Sequence, residues 1–277
     1  EIRPRGQSMP SYRLMIEYEG TRYYGWQEQK NARTVAGELR VAAEQFFAGQ
    51  VEILGAGRTD AGVHALGQVA RLKAAKRAKP LELQRALNDR LPPDINVLRV
   101  DEADAGFDPR RDAIARYYLY QISTRRTAFA KRFVWWVKDR LSVDSMSEAC
   151  ALVCGRHDFA RFCDKRAEEK STVVVVERAE LAVDGDLLLF RIGASHFLWK
   201  MVRRIVGSLV EVGRGNLGAE EFRSLLDPRA AAKSSKQFQV AASTAPPSGL
   251  FLERVVYDES QSVQALAAAF PVAKFGR

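Results

Sequence analysis

The chain has 277 residues, an apolar fraction of 47%, a formal net charge of +9 and a pI of about 9.6. Its length allows one large domain or two modest ones, and its apolar content is ample for a buried core. The sequence contains no run of about 18 apolar residues, which excludes a membrane-spanning helix, and its start shows no signal-peptide pattern. We therefore expect a cytoplasmic protein.

The positive charge is clustered rather than spread along the chain. Residues 71–90 contain seven Lys or Arg against two Asp or Glu, and residues 107–140 contain nine against three. Aromatic residues are interleaved with the cations of the second cluster. Because each cation placed on a phosphate releases counterions, this clustering favours a nucleic acid as partner. A basic surface that serves only solubility is the alternative.

Three cysteines and three histidines limit the metal chemistry that the chain offers. Cys150 and Cys154 lie four residues apart on a predicted helix, and Cys163 follows a loop. No histidine lies near a cysteine pair at ligand spacing, so we predict no metal site. We interpret the cysteines as core residues of a protein from a reducing compartment.

Hydrophobic periodicity predicts a regular series of elements in the first half of the chain. Residues 1–8 show no periodicity and are predicted to be a leader or cloning remnant outside the fold. The predicted elements are a strand at 12–18, a helix capped by Thr34 and ending at 47, strands at 51–54 and 68–72, a helix at 81–88 opened by Pro80, and a strand at 95–100. This is the split βαβ order of a ferredoxin-like half, so we predict a first domain of residues 9–112.

The second half, residues 113–277, is predicted to repeat this plan loosely as a second α+β domain. Its predicted elements are a strand at 116–123, a helix at 142–154, strands at 173–183 and 187–192 around the hairpin signal Asp184-Gly185, a helix at 197–212 and a strand at 249–257. On a helical wheel, Arg203 lies at the margin of the apolar stripe of the helix at 197–212. Lys200 and Arg204 lie opposite that stripe, where we expect solvent.

A glycine-framed turn follows the strand at 51–54 and carries Arg58, Thr59 and Asp60. A carboxylate two residues from an arginine, on a turn that a substrate can approach closely, is a candidate reactive group. A dinucleotide fingerprint is disfavoured because Asp60 occupies the place of the third glycine, and no Gly-Lys-Ser/Thr follows for a P-loop. The pattern alone leaves open a simple loop in which Asp60 caps the next segment.

Five blocks of sequence, in order, identify the chain more specifically. They are Tyr23-Tyr24-Gly25-Trp26-Gln27, Gly57-Arg58-Thr59-Asp60-Ala61-Gly62-Val63-His64, Ala115-Arg116-Tyr117-Tyr118-Leu119-Tyr120, Met201-Val202-Arg203-Arg204-Ile205-Val206-Gly207 and Thr244-Ala245-Pro246-Pro247-Ser248-Gly249-Leu250. These blocks resemble, in order and spacing, those of the TruA family of tRNA pseudouridine synthases. The resemblance implies the α+β pseudouridine synthase fold, in which two ferredoxin-like halves form a continuous, mainly antiparallel sheet flanked by helices.

The resemblance also implies an activity and a partner. The expected reaction converts uridines 38, 39 and 40 of the tRNA anticodon stem-loop to pseudouridine, and as an isomerisation it needs no cofactor and no metal. The expected assembly is a homodimer with one tRNA spanning both protomers. Two alternatives remain: a non-catalytic tRNA-binding or folding factor on the same scaffold, and a synthase with altered target positions.

The family's functional residues can be placed on this chain one by one. Asp60 is the expected catalytic carboxylate, either adding to the sugar or removing a proton beside it. The remaining expected residues are Tyr118, Arg203 and Leu250 for substrate binding, with Arg203 holding Asp60 ionised, and Arg58, Arg110 and Arg126 for tRNA binding. One departure is Asp108-Pro109, where the family usually has His-Ala before the arginine, which puts that loop's contact with RNA in question.

Overall fold

The computed structural model describes residues 9–164, 171–227, 238–260 and 264–272. The predicted leader, residues 1–8, lies outside these ranges. Contacts between residues divide the chain into two compact units. The first unit runs to Ala113 and includes Leu252–Tyr257, and the second contains Ile114–Phe251 and the segment from Asp258 onward.

The first unit has the predicted order of strand, helix, strand, strand, helix and strand. Its elements are β1 (Ser11–Tyr18), α1 (Val35–Phe47), β2 (Val51–Gly55), β3 (His64–Ala74), α2 (Pro80–Asn88) and β4 (Ile95–Glu102). The strands are antiparallel in the order β4-β1-β3. β1 pairs with β3 along residues 65–73, and β2 pairs with residues 70–74 of β3 on its other edge. The last strand of the chain, β10 (Leu250–Val256), also pairs with β3.

Local signals explain where the two helices of the first unit begin. The hydroxyl of Thr34 accepts a hydrogen bond from Gly37 N at 3.3 Å, which caps α1, and Pro80 occupies the first turn of α2. The alternating apolar residues of β1 and β3 and the apolar stripes of both helices form the core. Its most buried members include Leu14, Ile16, Leu39, Leu72 and Leu83. Full burial of each such side chain stabilises the fold by about 1.5–3 kcal/mol.

The second unit carries the remaining elements. They are β5 (Ala115–Ser123), β6 (Trp135–Trp136), α3 (Val143–Ala151), β7 (Gly155–Asp158), β8 (Val173–Asp184), β9 (Leu187–Ala194), α4 (Met201–Gly213) and α5 (Ala219–Leu225), together with the beginning of β10. Its strands are antiparallel in the order β5-β9-β8-β7, and β6 pairs in parallel with β5. Gly185, with φ of 62°, makes the predicted hairpin turn between β8 and β9.

The structure corrects two predicted helix boundaries. The helix predicted at 197–212 begins at Met201, because Lys200 has a left-handed backbone with φ of 65° and does not continue a helix. The helix predicted to reach residue 154 ends at Ala151, and residues 152–154 form tight turns that bond three residues back. α5, β6 and β7 are short elements that the sequence pattern did not predict.

The expectation that Arg204 faces solvent is wrong. Arg204 is 6% exposed and forms an ion pair with Asp164, which also accepts a hydrogen bond from Lys200 Nζ at 2.7 Å. These bonds, that of Lys200 first, hold the pKa of the Asp164 carboxyl below its usual range. The wheel misplaced Arg204 because α4 is buried around most of its circumference, so that no wide solvent face exists.

The cysteines follow the predicted core role in two cases of three. Cys150 and Cys163 are buried, and burial raises the pKa of the Cys150 thiol to about 12. Cys154, three residues after the end of α3, is exposed.

The fold class is α+β, as predicted: a large, mostly antiparallel sheet is flanked by the five α-helices of the described ranges. Within those ranges, no helix has both the length and the apolar content needed to cross a bilayer.

Candidate active site

The turn that carries Asp60 lies between β2 and β3 in the first unit. The carbonyl of Asp60 accepts a hydrogen bond from Val63 N at 3.1 Å, and Gly62 has φ of 78°. A positive φ at the third position defines a type II β-turn, so Asp60 is the first residue of that turn. The side chain of Asp60 is half-buried and that of Arg58 is exposed, which leaves both within reach of a large substrate.

The residue before Asp60 is held at both its side chain and its backbone. The hydroxyl of Thr59, a residue that is 6% exposed, is 2.7 Å from the hydroxyl of Tyr18 at the end of β1. The carbonyl of Thr59 accepts a hydrogen bond from Trp26 N at 3.1 Å. A buried hydroxyl pair of this kind satisfies both polar groups and fixes the backbone that leads into Asp60.

Gln68 holds the chain at Gly57, three residues before Asp60. Its side chain is fully buried, its Nε2 donates to the carbonyl of Gly57 at 2.9 Å, and its Oε1 accepts from Gly57 N at 3.4 Å. Ala56 N still bonds to the carbonyl of Val69 at 2.8 Å. The amide of Gln68 therefore extends the β2–β3 ladder to Gly57, two residues beyond the end of β2.

A second loop, residues 20–27, packs directly on the turn. Gly25 has φ of 90°, and a Cβ added to it would lie 2.5 Å from the carbonyl oxygen of Thr59, so this position requires glycine. Gly62 N donates to the carbonyl of Tyr23 at 3.2 Å, and His64 Nδ1 accepts from Gly20 N at 3.0 Å.

Within this loop, Tyr23 is an anchor rather than a reactive phenol. Its hydroxyl donates to the carboxylate of Asp94, and burial, followed by this hydrogen bond, raises its pKa well above the usual value. Tyr24, by contrast, is 64% exposed.

In the second unit, Tyr118 lies on β5 and is 8% exposed. Its ring packs edge-on against Phe197 with the ring centroids 4.9 Å apart, which fixes its plane. Tyr120, two residues along the same strand, donates its hydroxyl hydrogen to the carbonyl of Pro246 at 2.7 Å. Burial raises the pKa of Tyr120 well above its usual value.

The segment before β10 connects the other two expected substrate residues. Arg203 on α4 donates from Nε to the carbonyl of Ala245 at 2.7 Å, and Ala245 N donates to the carbonyl of Arg203 at 3.0 Å. Leu250 is 5% exposed and is the first residue of β10. A Cβ added to the preceding residue, Gly249, would lie 2.6 Å from the ring of Tyr120. Arg203 bonds to Ala245 and Tyr120 bonds to Pro246, so both side chains are tied to the segment that leads to Leu250.

The predicted tRNA-binding arginines are exposed. Arg126 lies with its guanidinium 5.8 Å from the ring centroid of Trp136. Phe129, three residues later in the chain, is 92% exposed. Arg110 follows the unusual Asp108-Pro109, whose carboxylate accepts hydrogen bonds from the N–H groups of Arg110 at 2.9 Å and Arg111 at 3.0 Å. These bonds, that from Arg111 first, lower the pKa of Asp108. Asp108 therefore acts as a local cap.

The sequence pattern marks Asp60 but not Tyr18, His64 and Gln68, the residues that hold its turn and the loop packed on it. Their partners lie 41, 44 and 11 residues away along the chain, so no local spacing marks them. Their polar side chains in strands that are otherwise apolar are the signal that could have found them, because a buried polar group needs a partner.

The α+β fold, the basic segments and the braced turn with its carboxylate indicate an RNA-modifying enzyme. Two comparisons with known proteins make this specific. A family model described as tRNA pseudouridine synthase matches residues 14–110 and 149–258. A protein of Sinorhizobium medicae named tRNA pseudouridine synthase A is 39% identical over 254 residues, covering 90% of this chain and all of that protein. A protein of the same name from Rhodopseudomonas palustris is 40% identical over 253 residues, with the same coverage.

The chain therefore belongs to the TruA family of tRNA pseudouridine synthases, which are isomerases. Among solved structures, a Cbf5-Nop10-Gar1 complex is similar with a TM-score of 0.29 and 13% identity, over 72% of this chain and 54% of that one. That likeness is too weak to support an argument.

Proposed function

We propose that the protein converts uridines 38, 39 and 40 of the tRNA anticodon stem-loop to pseudouridine, with Asp60 as the essential carboxylate. The observation that carries this proposal is the placement of Asp60, half-buried at the first position of a type II turn whose flanking residues are held by buried side chains. A carboxylate that served only to form a turn would not need this bracing.

The chemistry makes specific demands on such a carboxylate. The bond from C1′ to N1 of the uridine breaks, the uracil turns, and C5 bonds to C1′ while the C5 proton leaves to water and N1 gains a proton. Breaking a glycosidic bond develops positive character at C1′, which a carboxylate stabilises or traps. The target base must leave its stack to reach the carboxylate, and the glycine turn permits that approach.

The other proposed site residues serve binding. In this proposal Tyr118 stacks on the uracil, Leu250 gives it an apolar contact, and Arg203 binds the substrate through its positive charge. Arg58, Arg110 and Arg126 contact the tRNA phosphates. Their exposure and the basic charge of residues 71–90 and 107–140 support this role. We extend the proposal to a cytoplasmic homodimer that shares one tRNA.

The test uses tRNA carrying tritium at uridine C5. We expect the wild-type protein to release tritium to water and the Asp60→Ala variant to release none. Asp101→Ala is the matched control, because Asp101 is a carboxylate of the same unit, on β4, that pairs with Arg99. Equal release by Asp60→Ala and wild type would overturn the role of Asp60.

Mapping the modified positions then tests the target. Pseudouridine at positions 38, 39 and 40 supports the proposal, and modification elsewhere would replace it with a synthase of altered target positions. Binding of tRNA without release by the wild-type protein would support the binding-factor alternative.

A further inference from the structure

We propose that Tyr18 and Gln68 are positioning residues of the reaction, which hold the backbone that leads into Asp60 in its productive geometry. This inference rests on the proposed role of Asp60. Neither residue belongs to the expected set of catalytic or binding groups, and neither is within reach of solvent: Tyr18 is 4% exposed and Gln68 is 0% exposed.

Gln68 lies on β3 where the pairing with β2 ends. The pairing of β2 with β3 ends at Gly55 opposite Ala70, and Ala56 adds one more backbone bond to Val69. If β2 continued, Gly57 would face the backbone of Gln68. Gly57 instead bonds through both its N–H and its carbonyl to the side-chain amide of Gln68. The amide thus substitutes for a strand at the position where the chain turns toward Asp60.

The hydroxyl of Tyr18 forms a buried hydrogen bond with that of Thr59. β1 ends at Tyr18, which is paired with Ala65 of β3, so its ring is fixed by the sheet. Its hydroxyl lies 2.7 Å from that of Thr59, and the ring packs against Trp26 at a centroid distance of 6.1 Å. The N–H of Trp26 in turn bonds to the carbonyl of Thr59. Thr59 is therefore tied to both β1 and the loop at residues 20–27.

Together the two clamps act on Gly57 and Thr59, three residues and one residue before Asp60. Asp60 itself is held by the hydrogen bond that its carbonyl accepts from Val63 N. A carboxylate that stabilises developing charge needs its position set before the substrate arrives, and a misplacement of about 1 Å can cost about a hundredfold in rate. Two buried polar side chains, each hydrogen-bonded to the segment just before Asp60, hold it in place.

The chain contains a matched control for each clamp. Tyr12 lies on the same strand as Tyr18 and is 1% exposed, but its hydroxyl bonds to the backbone of Ala78. Six residues of strand, about 20 Å, separate it from Tyr18. Gln121 in the second unit is, like Gln68, 0% exposed, and its amide clamps the backbone of Phe133 and Phe270. Each control removes the same chemical group from an equally buried site.

The experiment compares Tyr18→Phe with Tyr12→Phe and Gln68→Leu with Gln121→Leu. Tritium release gives kcat and KM for tRNA, and thermal unfolding gives Tm. We expect each pair to lose similar Tm. We expect kcat to fall about 10- to 100-fold in Tyr18→Phe and Gln68→Leu with KM within about twofold of wild type, and to stay near wild type in the controls. Tyr18→Phe removes a single oxygen and keeps the ring in place, so we expect this variant to fold. It therefore tests the proposal even if Gln68→Leu does not fold.

Equal kcat in each variant and its control would overturn the inference, since the clamps would then contribute stability alone. The Asp60→Ala variant, measured alongside, separates this failure from failure of the proposed function. If Asp60→Ala keeps its activity, the role of Asp60 is wrong. If Asp60→Ala is inactive while the clamp variants match their controls, only the positioning role is wrong.

Discussion

Arg203 and Ala245 exchange two hydrogen bonds, one from Arg203 Nε to the Ala245 carbonyl at 2.7 Å and one from Ala245 N to the Arg203 carbonyl at 3.0 Å. The pair fixes the orientation of the guanidinium plane and ties the segment before β10 to α4. When Nε of an arginine is bonded in this way, the two terminal NH2 groups of its guanidinium point in a fixed direction. A lysine has a single ammonium group on a flexible chain.

From this pair we predict that Arg203→Lys lowers kcat/KM about tenfold or more, although the charge is kept, because lysine cannot both bond to Ala245 and present a planar fork. Tritium release measures the effect. Arg223→Lys is the control, since Arg223 is exposed on α5 and pairs only loosely with Glu220 at 3.6 Å. Wild-type activity in Arg203→Lys would mean that a positive charge alone suffices at this position.

Substitution of Gly25 and of Gly215 by alanine separates the cost of backbone strain from the cost of a steric clash. Both Gly25 and Gly215 have positive φ, of 90° and 78°, but a Cβ on Gly25 would meet the carbonyl of Thr59 and one on Gly215 would meet open space. We expect Gly215→Ala to lose about 1–2 kcal/mol of stability from backbone strain alone. Gly25→Ala should lose more and should also lower kcat, because it displaces Thr59. Chemical denaturation and tritium release test both statements, and equal losses would contradict the packing argument.

The capping role of Asp108 predicts a dependence on pH. The folded pKa of Asp108 is depressed, so its contribution to stability is complete above the unfolded pKa of about 3.9 and is lost as the pH falls through the folded pKa. We expect Asp108→Ala to lose about 1 kcal/mol at pH 7, and this difference from wild type to disappear toward pH 2. Asp108→Asn keeps an acceptor oxygen and should lose less. A difference that persists at low pH would show that the carboxylate is not the cap.

The exposed arginines predict a change in the salt dependence of tRNA binding. If Arg110 and Arg126 each neutralise a phosphate, replacing either with alanine should weaken binding and reduce the slope of log K against log salt by about 1. Arg223→Ala, which removes an exposed arginine outside the basic segments, should leave the slope unchanged. Filter binding across a salt series provides the measurement. A slope equal to that of wild type would remove the arginine concerned from the RNA contact.

Much of the fold follows from local signals in the sequence. Thr34 marks the start of α1, Pro80 the start of α2 and Asp184-Gly185 the turn from β8 to β9, because each acts on residues within four positions of itself. Asp60 was recognisable for the same reason, since its glycines and Arg58 are its neighbours in sequence.

The failures come from interactions between residues that are distant along the chain. The wheel placed Arg204 in solvent because it contains no information on Asp164, 40 residues earlier, or on the elements that cover α4. The start of α4 was missed because Lys200 adopts a left-handed backbone without the glycine that usually marks one. Tyr18 and Gln68 were missed because a tyrosine and a glutamine in strands look ordinary until their partners are known.

The segment Leu252–Tyr257, which contains most of β10, belongs to the first unit although it is nearly 140 residues later in the chain than Ala113. During synthesis, the first unit therefore cannot complete its sheet until the ribosome has passed Ile114–Phe251 of the second unit, a delay on the order of ten seconds. Until then the edge of β3 that receives β10 is open to pairing with other strands, and a chain cut before Leu252 would keep that edge permanently. Premature termination before Leu252 should thus yield an aggregating product rather than a slightly shorter enzyme.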